Sequence, residues 1–180
     1  MPTAAEIRAN PSLRLSPHIA AVELVAQTEP GADRDAKWSE RSSLVSDGLA
    51  PSLLALAALL EQVRVLGGDR PIRITSGLRP VLATGAGARS QHVAGQAADI
   101  QIDGISPRAL ARVLRSHPWP TGGGPRQVIA ETRAGSADLD QPMSQGGGRW
   151  VHVAVHGPGF GPTSSRWLES PDGHSYTALR

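Results

Sequence analysis

Apolar positions along the chain switch between a helical and a strand-like period, and the switches mark out six elements. Leu53, Leu56, Leu60 and Val63 recur at steps of three and four, with Glu61, Gln62 and Arg64 off that line. This predicts a helix that opens at Ala50-Pro51-Ser52 and is stopped by Gly67-Gly68. Residues 72–76 (Ile-Arg-Ile-Thr-Ser) alternate and are β-branched, hence a strand, and 96–102 reads as a second. In that second strand Ala97, Asp99 and Gln101 share one face and Ala98, Ile100 and Ile102 the other, so Asp99 points away from the apolar side. Ser106-Pro107 starts another helix, carrying Leu110, Val113 and Leu114 and halted at His117-Pro118. Residues 127–131 form a third strand with Gln127, Ile129 and Glu131 on one side. A fourth, 150–156, sets Trp150, His152, Ala154 and His156 against Val151, Val153 and Val155.

The intervening stretches lack either period. Residues 1–49 read as a polar, irregular segment, save for a short apolar piece at 19–25 that Ser16-Pro17 would open as a helix. Residues 31–43 read as a charged surface loop, 81–89 as a flexible Gly/Ala loop, 121–125 as a glycine turn and 132–148 as a long polar loop. Residues 157–180 read as a loosely structured tail. The expected fold is therefore α+β, a small and mainly antiparallel four-stranded sheet with flanking helices. It forms one domain over 1–180, with its core at 50–156.

Composition narrows the chemistry. With 180 residues the chain is long enough to bury a real core. Aromatics are only 3%, so aliphatic side chains must fill it. A net charge of +2, no basic run and six scattered aromatics exclude a nucleic-acid platform. No apolar stretch approaches the roughly 20 residues of a membrane helix, and 1–17 has no apolar leader. The expectation is cytoplasmic synthesis without a signal peptide and without membrane insertion. The absence of cysteine removes thiolate metal sites and leaves His, Asp and Glu as ligands.

Two stretches gather such groups. Ser90-Gln91-His92-Val93-Ala94-Gly95-Gln96-Ala97-Ala98-Asp99 holds a histidine just before a strand and an aspartate within it, with Gly95 permitting a sharp turn between them. Trp150-Val151-His152 supplies a second imidazole from another strand. Two imidazoles and a carboxylate form a common catalytic zinc set that leaves one position open. His18, alone beside the short apolar piece, reads as a packing or surface histidine. The triglycines at 122–124 and 146–148 are not phosphate loops, since no Lys-Ser/Thr follows either. A triad of Ser76, His92 and Asp99 lacks any Gly-x-Ser-x-Gly elbow.

Ser90-x-His92-x-x-Gly95-x-Ala97-x-Asp99 followed by Trp150-Val151-His152 resembles the motif set of the LAS-type zinc D-Ala-D-Ala carboxypeptidases. That family includes phage endolysin peptidases of the L-Ala-D-Glu type and shares its fold with the hedgehog signalling domain. Leu15-Ser16-Pro17-His18, the Leu-rich helix, Ile74-Thr75-Ser76-Gly77-Leu78-Arg79 and Gln127-Val128-Ile129-Ala130-Glu131 extend the likeness over residues 13–156. The resemblance implies one Zn2+ per chain held by His92, Asp99 and His152. It also implies that Arg79 steadies the substrate and its developing oxyanion, a role a fixed cation suits. Ser90 matches a substrate-contacting position or caps its own turn.

The chain departs from this pattern at the general base. Relatives carry an acid or histidine two or three residues before the last ligand, where this chain has Trp150 and Arg149. Glu131 is the best substitute, from a neighbouring strand; otherwise it orients a ligand or is a solvated strand end. His156 lies roughly 13 Å from His152 along the strand, too far for an easy fourth ligand, and is assigned to the substrate groove.

The expected function is a zinc metallopeptidase acting on peptidoglycan stem peptides, as a D,D-carboxypeptidase or an endopeptidase. It would be associated with a phage tail or an injection apparatus and reach the cell wall after release or delivery. The rival is a zinc-bearing binding module of the same fold without turnover, motivated by the missing acid before His152.

Overall fold

A computed structural model describes residues 1–26, 33–80, 90–120, 123–133, 138–156, 166–172 and 175–179. The helices are α1 (Ala4–Ala9), α2 (Ala21–Val25), α3 (Arg34–Ser42), α4 (Ala50–Leu66) and α5 (Pro107–Ser116). The strands are β1 (Arg73–Ser76), β2 (Ala97–Gln101), β3 (Gln127–Thr132), β4 (Arg149–Ala154), β5 (Arg166–Ser170) and β6 (Thr177–Ala178). Both helices expected from the apolar period are present. α5 is capped by Ser106, whose Oγ accepts from the Ala109 amide at 3.1 Å.

One mixed sheet runs in the order β1-β2-β4-β3-β5-β6. All neighbours are antiparallel except β3 and β5, which are parallel. The expectation of four strands and a loose tail at 157–180 is thus corrected to six strands. β5 is only five residues long and pairs directly with β3, although β4 separates the two in sequence, a non-local match that local hydropathy cannot reveal.

The irregular segment expected over 1–49 is corrected too, because three short helices lie there. α1 begins at a capping box in which Thr3 Oγ1 accepts from the Glu6 amide and the Glu6 carboxylate accepts from the Thr3 amide. α3 replaces most of the loop expected at 31–43. Asp33 caps it by accepting from the amides of Asp35 and Ala36, and none of its residues is fully buried, so no apolar stripe advertises it. α2 starts at Ala21 and not at Ser16-Pro17. The Ser16 hydroxyl and the His18 amide instead donate to Glu61 on α4, at 2.8 and 2.6 Å. The loop expected at 81–89 lies outside the described residues, as do Thr121, Gly122, 134–137, 157–165 and 173–174.

Strand alternation divides the sheet into two faces. Ala98, Ile100, Val128, Ala130, Val151 and Val153 join Leu53, Leu56 and Leu60 of α4 and Leu110 and Leu114 of α5 in one core. Each such Leu, Ile or Val is worth about 1.5–3 kcal/mol of burial. The opposite face carries Asp99, Gln101, Glu131 and His152, all buried as well. Among the described residues no helix is long and apolar enough to cross a membrane.

Candidate metal centre

Pairing of β2 with β4 sets Asp99 directly opposite His152, and pairing of β4 with β3 sets Trp150 opposite Glu131. All four therefore emerge on the polar face of the sheet. His92 reaches that face from the turn leading into β2. Its return depends on Gly95, which has φ +63°, and a Cβ there would stand 2.5 Å from Leu49 Cδ2. The turn after β1 also approaches closely: a Cβ on Gly77 would lie 2.0 Å from the Leu24 carbonyl oxygen. That closeness places the Gly77 carbonyl where His92 Nδ1–H donates to it at 2.8 Å.

The carbonyl can only accept, so His92 carries its proton on Nδ1 and presents Nε2 as a lone pair. Nε2 lies 3.3 Å from His152 Nδ1 and 3.3 Å from Asp99 Oδ1, and His152 Nδ1 lies 2.9 Å from the same Oδ1. His152 Nε2–H donates a hydrogen bond to Gln91 Oε1 at 3.2 Å, which leaves Nδ1 turned to the cluster. The other oxygen of Asp99 accepts from Arg79 Nη2 at 2.7 Å, and Arg79 Nε donates to Ser76 Oγ at 2.8 Å.

The three converging atoms thus offer two imidazole lone pairs and a carboxylate. Metal–ligand bonds of about 2.0–2.1 Å in a tetrahedron imply ligand atoms about 3.3–3.4 Å apart. Two of the three spacings meet that value, and the third needs to open by only a few tenths of an ångström. The donor set fits zinc.

A model of the family described as Peptidase M15 matches residues 26–128, more than half the chain. The chain belongs to this family. M15 peptidases are zinc-dependent, so this M15 chain is a metallopeptidase, and its His92, Asp99 and His152 form a cluster that could hold a metal ion. Among curated proteins none matches the chain. The matched span includes Arg79, His92 and Asp99 and ends before Glu131 and His152.

Electrostatics separate the two carboxylates of this M15 site. Burial is the largest influence on Asp99 and pushes it up. When the two imidazoles carry a second proton in place of a metal, their hydrogen bonds and charge, those of His152 ahead of His92, outweigh burial and hold Asp99 well below the ordinary carboxylate range. Glu131 moves the other way. Burial raises it first and the Asp99 charge second, against smaller lowering contributions from His152, Trp150 and Tyr176.

The remaining expected residues sort by position. Glu131 is 8% exposed, and its carboxylate accepts a short hydrogen bond from Trp150 Nε1, the donor on the strand opposite. Arg79 stands at the cluster with its side chain 44% exposed. Ser90 Oγ accepts from the His92 amide at 3.3 Å, the turn-capping alternative of its two readings. His156 is exposed beyond the end of β4 and is not among the clustered groups. His18 is a surface residue paired with Glu61 at 2.9 Å. Sequence reasoning missed Gln91, Trp150 as the partner of Glu131, and Tyr176. The first two stood beside named ligands, but nothing in the local pattern singled out Tyr176.

Proposed function

We propose that this metallopeptidase hydrolyses peptide bonds in peptidoglycan stem peptides, with His92, Asp99 and His152 holding zinc and Glu131 as the general base. The observation that carries the reading is the buried cluster of two imidazoles and one carboxylate with a second buried carboxylate, Glu131, on the same sheet face. Bound there, zinc would polarise the scissile carbonyl and acidify the attacking water. Glu131, its carboxyl raised by burial, would serve as the base that takes a proton from that water and returns it to the leaving amine. Arg79 fixes the metal-facing orientation of Asp99 and keeps part of its guanidinium open toward the carbonyl oxygen, where negative charge develops.

The rival reading, a zinc-bearing module without turnover, drew on the lack of an acid just ahead of His152. Glu131 on β3 offers one from across the sheet, which favours the enzyme. Likeness to phage endolysin peptidases supports a setting at the cell wall, reached on release or on a phage tail or injection apparatus. Ser90 and His156 remain proposed substrate contacts at the rim.

The test is zinc-loaded protein on purified peptidoglycan, read as free D-alanine for a carboxypeptidase or new internal amino groups for an endopeptidase. Glu131→Gln is expected to keep its zinc and lose about 10²–10⁴ in rate. Zinc-loaded wild type that releases neither product sinks the proposal.

A further inference from the structure

The C-terminal strands lie beyond residues 26–128, yet they deliver a side chain to the site. Glu131 pairs with Ser170 on β5, and Glu169 pairs with Thr177 on β6, so the register continued by one residue sets Tyr176 level with Ser170. Tyr176 is thus two strands from Glu131, about 10 Å at the backbone, with only the small Ser170 between them. A tyrosine can span that gap, and its phenol lies near enough to the Glu131 carboxyl for each group to shift the other's proton affinity.

The segment that presents Tyr176 is fixed on both sides. Upstream, Thr132 Oγ1 donates to the Pro171 carbonyl at 2.7 Å and the Ser175 amide donates to Asp172 Oδ1 at 2.7 Å. Downstream, Leu179 is buried in the core, its amide donates to the Trp167 carbonyl at 3.0 Å, and its own carbonyl accepts from Arg115 of α5 at 2.8 Å. A half-exposed aromatic anchored in this way is placed, and the register sets it on the sheet face that carries Glu131.

We propose that Tyr176 is a positioning residue of the hydrolytic site, its hydroxyl holding the Glu131 carboxylate from the β6 side while Trp150 holds it from the β4 side. This rests on the reading of Glu131 as general base. A carboxylate gripped by two neutral donors keeps one orientation and still accepts a proton, whereas a cation in either place would neutralise it. The sheet edge thereby becomes part of the active site.

Tyr176 is the only tyrosine in the chain, so ultraviolet titration of tyrosinate in metal-free protein reads this one hydroxyl without turnover. Burial raises Tyr176 first and the Glu131 charge second, so wild type is expected to titrate above 10 and Glu131→Gln to titrate lower than wild type while the burial contribution remains. Identical curves for the two proteins would overturn the pairing. On the zinc-loaded enzyme, Tyr176→Phe is expected to lower kcat about tenfold, the loss that goes with one hydrogen bond, with KM and zinc content unchanged. The double variant with Glu131→Gln should be no slower than Glu131→Gln alone. A Tyr176→Phe enzyme as fast as wild type, or a loss that multiplies with that of Glu131→Gln, would also overturn it. Should zinc-loaded wild type cleave nothing, the functional reading fails, and the titration still decides separately whether Tyr176 holds Glu131.

Discussion

Asp99 and Glu131 occupy the same face of the same sheet, on the two strands that flank β4, and are driven in opposite directions. Both are less than a tenth exposed. Asp99 has an Arg79 guanidinium at 2.7 Å and, within 3.3 Å, two imidazoles that hold either a second proton or a metal against it, so its charge is stabilised and it stays ionised. Glu131 is raised by burial first and by the like charge of Asp99 second, and the neutral Trp150 that donates to it offsets this only in part, so its proton is held more tightly. The burial is similar; the partners differ. A metal ligand must never protonate at working pH, whereas a base must exchange its proton in every turnover, and the two environments match those two tasks.

The largest effect should come from breaking the Asp99 side. His92→Ala removes a lone pair that no neighbour replaces, and elemental analysis is expected to fall from about one zinc per chain to near none. Hydrolysis should drop to background with it. Retention of zinc and activity in that variant would dissolve the contrast between the two carboxylates.

On the Glu131 side the pH dependence sharpens the comparison. The base must be ionised, and its raised value moves the rising limb of kcat/KM above the ordinary 4.5 of a glutamate, with no limb from Asp99 in that range. The sign for stability follows from the same shift. A carboxyl raised on folding contributes most below its unfolded value, and that contribution is lost as pH rises through the folded value. At neutral pH the metal-free Glu131→Gln protein should therefore melt higher than wild type, by about 2–4 °C for ~1 kcal/mol of relieved cost. A lower melting temperature would show Glu131 to be a structural ion and not a base kept under strain.

The smallest effect on hydrolysis belongs to a third carboxylate, outside the cluster. Glu61 is held at about 2, burial raising it but hydrogen bonds from Ser16, His18 and Arg64 prevailing. Its stabilisation is present above 4.5 and is lost as pH falls toward 2. Glu61→Gln should cost about 1–2 kcal/mol in urea unfolding at neutral pH and leave hydrolysis unchanged. A loss of activity there would tie the N-terminal segment to the site.

How far the sequence reached can be seen residue by residue. The period of three and four fixed α4 and α5, because each buries one stripe against the sheet and polar residues cover the rest. Alternation in 96–102 and 150–156 was enough to put Asp99 and His152 on polar faces, since a strand's side chains can only alternate. Glu131 was placed on the correct strand, and its face followed from the same rule. α1 and α3 were hidden for different reasons. α1 is too short to show a period, and α3 buries none of its residues completely, so only the caps at Thr3 and Asp33 marked them.

The tertiary structure alone decided the rest. That β2 and β4 are neighbours in the register Asp99↔His152, and that β3 brings Glu131 against Trp150, are long-range pairings with no local signature. The proton positions on the imidazoles depend on the Gly77 carbonyl and on Gln91, contacts that exist only once the turns have closed. β5 and β6 carry too few apolar residues to stand out, and their strand character comes from the edge they join. Sequence by itself determined which residue types were available for zinc chemistry and which way each strand would point them. Folding determined their partners, and through those partners which carboxylate keeps its charge and which can exchange a proton.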